Sequence, residues 1–136
     1  MEIAPYRDEM FDGVDALWRE AFPDLTPRNT AAVSIPNKLA VQPELFLVAR
    51  DGGVVVGTAM AGYDGHRGWL YQIAVRSSHR RSGVGSALIR EAEARLAALG
   101  CLKINLQVLP ENAAVTRFYE SLGYAVEPRI SMGKLL

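Results

Sequence analysis

Cysteine, histidine and net charge are all scarce in this chain. Of 136 residues, one is cysteine, Cys101, and two are histidine, His66 and His79. A single cysteine closes no internal disulfide and builds no thiolate zinc cage. The expected setting is therefore a reducing cytoplasm, and no metal is expected. Lys+Arg and Asp+Glu both number 15, which gives a formal net charge of zero. Such a chain lacks the surplus cations that neutralise phosphates, and it has no polybasic membrane patch. Neither nucleic acid nor membrane is expected as a partner. No apolar run approaches the ~20 residues of a membrane span. The segment Met1-Glu2-Ile3-Ala4-Pro5-Tyr6 has no basic and no apolar region of the signal-peptide kind, so none is expected. What a core needs is present: 49% of residues are hydrophobic and 22% charged, which excludes disorder. The length suits one domain, expected to run over 1–136.

Periodicity orders the elements. Glu2 to Tyr6 predicts a short strand. Met10, Val14, Leu17, Trp18 and Ala21 recur at steps of three and four, one face of a helix that begins near Asp8 and stops at Phe22-Pro23. Thr26-Pro27 reads as the start of a second helix, with Thr26 as N-cap, although Pro36 interrupts that helix. Leu45 to Ala49, Val54 to Tyr63 and Trp69 to Val75 read as three strands joined by turns at Arg50–Gly53 and Asp64-Gly65. That is an antiparallel meander. A long helix opens at Gly83, carries Val84, Leu88, Ala92, Leu96 and Leu99 on one stripe, and stops at Gly100. Leu102, Ile104, Leu106 and Val108 alternate with polar residues and predict another strand. It should lie parallel to Trp69–Val75 across a helical crossover. Asn112 is placed to cap a short helix to Leu122. Tyr124–Glu127 and Ser131–Leu135 read as closing strands whose exposed edges could pair two copies into a homodimer. The fold class is α/β: a mixed, mostly antiparallel sheet with helices on both faces.

The stretch Val75-Arg76-Ser77-Ser78-His79-Arg80-Arg81-Ser82-Gly83-Val84-Gly85-Ser86 carries the chemistry. A strand ends, a basic turn comes next, and two glycines lead into a helix. A helix N-terminus presents unpaired N–H groups and about half a positive charge. Glycine there lets an anion reach the backbone without meeting a Cβ. Arg80 and Arg81 add charge, so the segment is suited to a phosphate or pyrophosphate. It is not a P-loop, because no Lys follows Gly85. It is not a dinucleotide fingerprint either, because Leu88 stands where the third glycine would be. The pattern present is Arg-x-x-Gly-x-Gly.

That pattern resembles the pyrophosphate loop of the GNAT superfamily of acyl-CoA N-acyltransferases. Asn112-Ala113-Ala114-Val115-Thr116-Arg117-Phe118-Tyr119, followed by Leu122-Gly123-Tyr124, resembles the family's second signature. Phe46–Ala49, Val56-Gly57-Thr58, Gly62–Gly68 and Ser131–Lys134 are similar to the small bacterial YpeA-like branch. The resemblance implies a splayed pair of parallel strands with acyl-CoA, here acetyl-CoA, lying in the gap. Ile73, Ala74 and Val75 then match the edge that pairs with the pantetheine arm. Arg81, Ser82, Gly83, Val84, Gly85 and Ser86, flanked by Arg80, match the pyrophosphate site. Asn112 matches a cofactor contact, and Tyr119 matches the acid that protonates the departing thiolate. An amine would attack the thioester directly while a backbone N–H of the splayed strand steadies the oxyanion.

Gln107 stands where relatives that acetylate protein N-termini carry a glutamate base, and Gln72 is no acid either. The base therefore stays open among Glu111, Asp64, His66 and solvent. Asp64 and His66 read first as a hairpin turn and second as substrate contacts. Cys101, Trp18 and Trp69 read as packing residues. Four functions stay open: a small-molecule N-acetyltransferase, a protein N-terminal or lysine acetyltransferase, a non-catalytic acyl-CoA-binding module, and a structural or partner-binding domain.

Overall fold

A computed structural model describes residues 1–136. Two compact units divide the chain, Met1–Leu106 and Gln107–Leu136. In the first, β1 (Glu2–Pro5) precedes α1 (Phe11–Ala21) and α2 (Ala31–Leu39). Strands β2 (Phe46–Asp51), β3 (Val54–Tyr63) and β4 (Gly68–Val75) follow, then α3 (Val84–Ala98) and β5 (Ile104–Asn105). The sheet order is β1-β2-β3-β4-β5, antiparallel throughout except for the parallel pair β4–β5. The meander and the crossover through α3 are those the sequence predicts.

Phe46, Leu47, Val48 and Ala49 of β2 are all buried, so both faces of the sheet are covered. Phe46 and Val48 join Val14, Leu17 and Trp18 of α1 and Ala31 and Ile35 of α2 in one cluster. Tyr6 stacks on Phe46 with ring centroids 5.0 Å apart. Alternation turns Leu47 and Ala49 to the opposite face, where α3 packs over β2, β3 and β4 with Leu88, Ile89, Ala92 and Leu96 fully buried. Glycine makes that approach close: a Cβ on Gly57 would lie 2.8 Å from Leu88 Cδ1 and 2.9 Å from Val84 Cγ1.

Three expectations are corrected. Thr26 precedes a 3-10 turn, Pro27–Asn29, and its hydroxyl makes no hydrogen bond; α2 begins after Thr30 instead. Pro36 lies inside α2 without ending it, because it lacks only the one N–H that would reach back a turn. The strand expected over Leu102–Val108 is confined to Ile104–Asn105. Its apolar alternation is real, but Leu102 is 98% exposed and only two residues find ladder partners on β4.

In the second unit, α4 (Ala113–Ser121) ends at Leu122-Gly123, with Gly123 at φ +96°. The closing strands expected at Tyr124–Glu127 and Ser131–Leu135 are not formed. A strand is defined by a regular ladder with a neighbour, which alternation in sequence does not by itself fix. Val126, Ile130, Met132 and Leu135 are correspondingly exposed.

Candidate active site

The parallel pair sets the geometry. Only Gly68 and Trp69 of β4 face β5, opposite Ile104 and Asn105. From Leu70 to Val75, β4 has ladder partners on β3 and none on β5. Ile73, Ala74 and Val75 lie on that length. The parallel pairing of β4 with β5 that the resemblance implies is present, and it is two residues long.

Strand β4 is also irregular. Thr58 pairs with Ala74, but Met60 pairs with Tyr71, so one residue of β3 opposes two of β4. Gln72 takes up the extra residue with φ +48°, a left-handed conformation unusual for a side chain of this kind. The Thr58 hydroxyl donates to the Gln72 carbonyl at 2.9 Å, and the Trp18 indole N–H donates to Thr58 Oγ1 at 2.9 Å. The Gln72 side-chain amide donates to the Asn29 carbonyl at 3.1 Å. Thr58 and Trp18 are both 0% exposed. Trp18 is therefore more than packing. The signal in the sequence is a single Thr in an otherwise apolar strand.

Beyond Val75 the chain turns through Ser77–His79, then Arg80, into α3. Arg81 has φ +63° and Gly83, the residue before α3, has φ +87°. No side chain caps the N-terminus of α3. A Cβ at Gly83 would meet nothing within 4 Å, so there is open space beside the chain where it enters α3. These two left-handed residues bend the chain sharply at the entrance to α3. Arg80 and Arg81 are exposed and form no salt bridge.

Neighbouring side chains hold the loop rather than serve a ligand. Arg76 donates through Nε and Nη2 to the Val55 carbonyl at 3.0 and 2.9 Å, and lies 3.6 Å from Glu20. Glu20 accepts the Ser77 N–H at 2.9 Å. The Ser77 hydrogen bonds, with help from Arg76 and Arg80, keep the Glu20 carboxyl below the usual carboxylate range. His79 bridges Ser78 Oγ at 2.8 Å and Asp51 Oδ2 at 3.0 Å, tying the loop to the β2–β3 turn.

Asp64 and His66 fall at the opposite end of β4, eight residues or roughly 23 Å away. Asp64 Oδ1 accepts the N–H groups of His66 and Arg67, both at 2.8 Å. Those two bonds lower its pKa and fit the hairpin-turn reading. Cys101 is half-buried, and its thiol donates to the Lys103 carbonyl at 3.2 Å.

In the second unit, Asn112 precedes α4, but its side chain makes no capping bond; its carbonyl instead accepts from Thr116. Tyr119, two helical turns on, is 7% exposed and packs edge-on against Phe118 at 5.2 Å and Tyr124 at 5.7 Å. Burial pushes its pKa up to about 12. The phenol is therefore protonated throughout the physiological range. The Gln107 amide donates to Ser131 Oγ, so no carboxylate occupies that position.

Comparison with known proteins agrees with this geometry. An acetyltransferase from Yersinia pestis strain Pestoides F is 43% identical over 136 residues, covering 100% of this chain and 96% of that one. An acetyltransferase from Sodalis glossinidius is 44% identical over 137 residues with the same coverage. Among solved structures, Ard1 from Thermoplasma volcanium superposes with a TM-score of 0.84 at 25% identity, over 93% of this chain and 83% of that one. The aminoglycoside N-acetyltransferase AAC(6')-Iy, in complex with a bisubstrate analogue, shares the fold with a TM-score of 0.79 at 20% identity, over 99% and 97%. The sequence model of the acetyltransferase (GNAT) family matches residues 8–124, and the chain belongs to that family of acetyltransferases.

Proposed function

We propose that residues 1–136 act as one N-acetyltransferase domain that moves an acetyl group from acetyl-CoA to a primary amine. One observation supports this above the others. The left-handed turn at Gly83 has open space beside it where the chain enters the 15-residue helix α3, and the strand before the turn has no ladder partner on β5 beyond Trp69. The coenzyme's diphosphate fits the first site. Val84, Gly85 and Ser86 would meet it through N–H groups, and Arg80 and Arg81 would add charge-assisted contacts. The edge of β4 at Ile73, Ala74 and Val75 fits the amide-bearing pantetheine arm, which can hydrogen-bond as an added strand does.

The thioester supplies an activated acetyl group. A backbone N–H of β4 stabilises charge on its carbonyl oxygen. As the amine nitrogen forms the C–N bond and the C–S bond breaks, Tyr119 gives its proton to the departing sulfur, and the amine's proton passes to solvent. Asn112 contacts the coenzyme through the side-chain amide that α4 leaves unused. Gln107 takes no proton, so attack depends on the fraction of acceptor that arrives as neutral amine.

AAC(6')-Iy is described with an aminoglycoside-derived bisubstrate analogue. A solved neighbour from Escherichia coli is named a ribosomal-protein-S18-alanine N-acetyltransferase. Both acceptors are amines, and the acceptor here is assigned to that broad class. The test has two stages. Acetyl-CoA should raise the melting temperature by binding the folded state; no shift at millimolar concentration overturns the reading. Thiol release across amino acids, polyamines, aminoglycosides and peptides then identifies the acceptor. Binding with no release from any amine would mark a binding module instead.

A further inference from the structure

The β4 bulge lies beyond the pairing with β5, and its unusual backbone conformation is held by side chains from other elements. The Gln72–Ile73 peptide is planar and trans, as are all peptides of the chain. Its carbonyl is fixed by the Thr58 hydroxyl at 2.9 Å. In a trans peptide the N–H points opposite to the C=O. Fixing the Gln72 carbonyl on Thr58 therefore aims the Ile73 N–H away from β3.

The polarity of this chain of bonds is not adjustable. An indole N–H only donates, so Trp18 must give its proton to Thr58 Oγ1 at 2.9 Å. The single hydroxyl proton of Thr58 is then left for Gln72. Both side chains are fully buried, so water does not substitute for either bond. On the outer side, the Gln72 amide holds the Asn29 carbonyl at 3.1 Å, which links the bulge to the turn between α1 and α2. A left-handed Gln costs free energy in isolation and persists here because two partners, Thr58 and Asn29, hold it and Trp18 holds Thr58.

We propose that Trp18 and Thr58 are positioning residues for acetyl transfer: through the Gln72 carbonyl they orient the Ile73 N–H toward the oxygen of the bound thioester. The inference rests on the acetyl-CoA reading above. It assigns the oxyanion donor to one peptide and explains a polar pair in the middle of an apolar core.

The direct readout is the carbonyl stretch of acetyl-CoA labelled with carbon-13 at the acetyl carbonyl. It needs no acceptor. On wild-type protein, a hydrogen bond to the thioester oxygen lowers the stretching frequency relative to free acetyl-CoA. Thr58→Val keeps the shape and removes the hydroxyl. The shift should shrink toward the free value, acetyl-CoA affinity should stay within about twofold, and thiol release, to water or an amine, should fall about tenfold or more. Thr58→Ser restores the hydroxyl and should recover the shift. Trp18→Phe, which leaves Thr58 in place, should give a partial loss, and it serves if Thr58→Val does not fold. An unchanged shift with unchanged turnover in Thr58→Val, or in Trp18→Phe if Thr58→Val does not fold, overturns the proposal while leaving the acetyltransferase reading intact. Failure of wild-type protein to bind acetyl-CoA overturns both.

Discussion

Helix α3 carries a built-in control for the loop at its N-terminus. Gly83 precedes the helix at φ +87° and Gly100 comes after it at φ +91°, and a Cβ at either would meet nothing within 4 Å. Gly83→Ala and Gly100→Ala therefore impose the same backbone strain and no clash. Forcing an alanine into the left-handed region costs roughly 1–2 kcal/mol. For a chain of this size that lowers the melting temperature by roughly 3–8 °C in either variant. Only Gly83 adjoins the amides assigned to the diphosphate. A methyl there that displaces one charge-assisted hydrogen bond, worth about 1.5–3 kcal/mol, weakens coenzyme affinity roughly 10- to 150-fold. Gly100→Ala should leave affinity unchanged. Calorimetric titration of coenzyme A into the three proteins, each also melted without ligand, makes the comparison. Equal affinity in all three, with similar losses of stability, refutes the assignment of the loop. Equal weakening in both variants would trace the effect to α3 as a whole rather than to the amides.

Gly57→Ala should destabilise the fold by about 1–3 kcal/mol in chemical denaturation, because the new methyl would lie 2.8 Å from Leu88 Cδ1 and 3.2 Å from the Ala74 carbonyl. Tyr119→Phe should depress turnover while coenzyme affinity holds, as expected of a group that acts on the leaving thiolate. The same residue gives an alkaline signature. With its folded pKa pushed up to about 12 from an ordinary value near 10, its contribution to stability is complete below about pH 10 and lost as pH rises through about 12. Tyr119→Phe should remove that part of the alkaline loss when denaturation is followed against pH. The Glu20 carboxyl, held low by the Ser77 hydrogen bonds, contributes above the ordinary glutamate pKa and loses its effect as pH falls through its lower folded value. Carbon-13 NMR of that carboxyl should show the depressed midpoint, and Ser77→Pro, which removes the N–H, should raise it.

Much of the fold is legible in the sequence because it is local. The Gly52-Gly53 turn, the meander, the stripe on α3 and the stop at Gly100 each arise from residues a few positions apart. The loop is legible for the same reason: Arg80, Gly83 and Gly85 lie within six positions at a strand-to-helix junction. Where the reading misses, the deciding partner is remote. Leu102 to Val108 alternates like a strand, yet it pairs only at Ile104 and Asn105 because β4 and β5 part beyond that point. The tail after Gly123 alternates too, and it gains no ladder. The role of Trp18 depends on Thr58, forty positions away.

The sequence by itself determined a composition with a single cysteine and no net charge, an α/β element order, a phosphate-suited glycine turn and a likeness to one transferase family. Each of these is written in spacing and residue type. The tertiary structure alone decided the rest: which length of β4 pairs with β5, that Gln72 forms a left-handed bulge beyond it, and that a buried indole and hydroxyl fix the bulge's carbonyl. Strand pairing and the direction of a single peptide depend on atoms brought together from distant parts of the chain, and no local pattern records them.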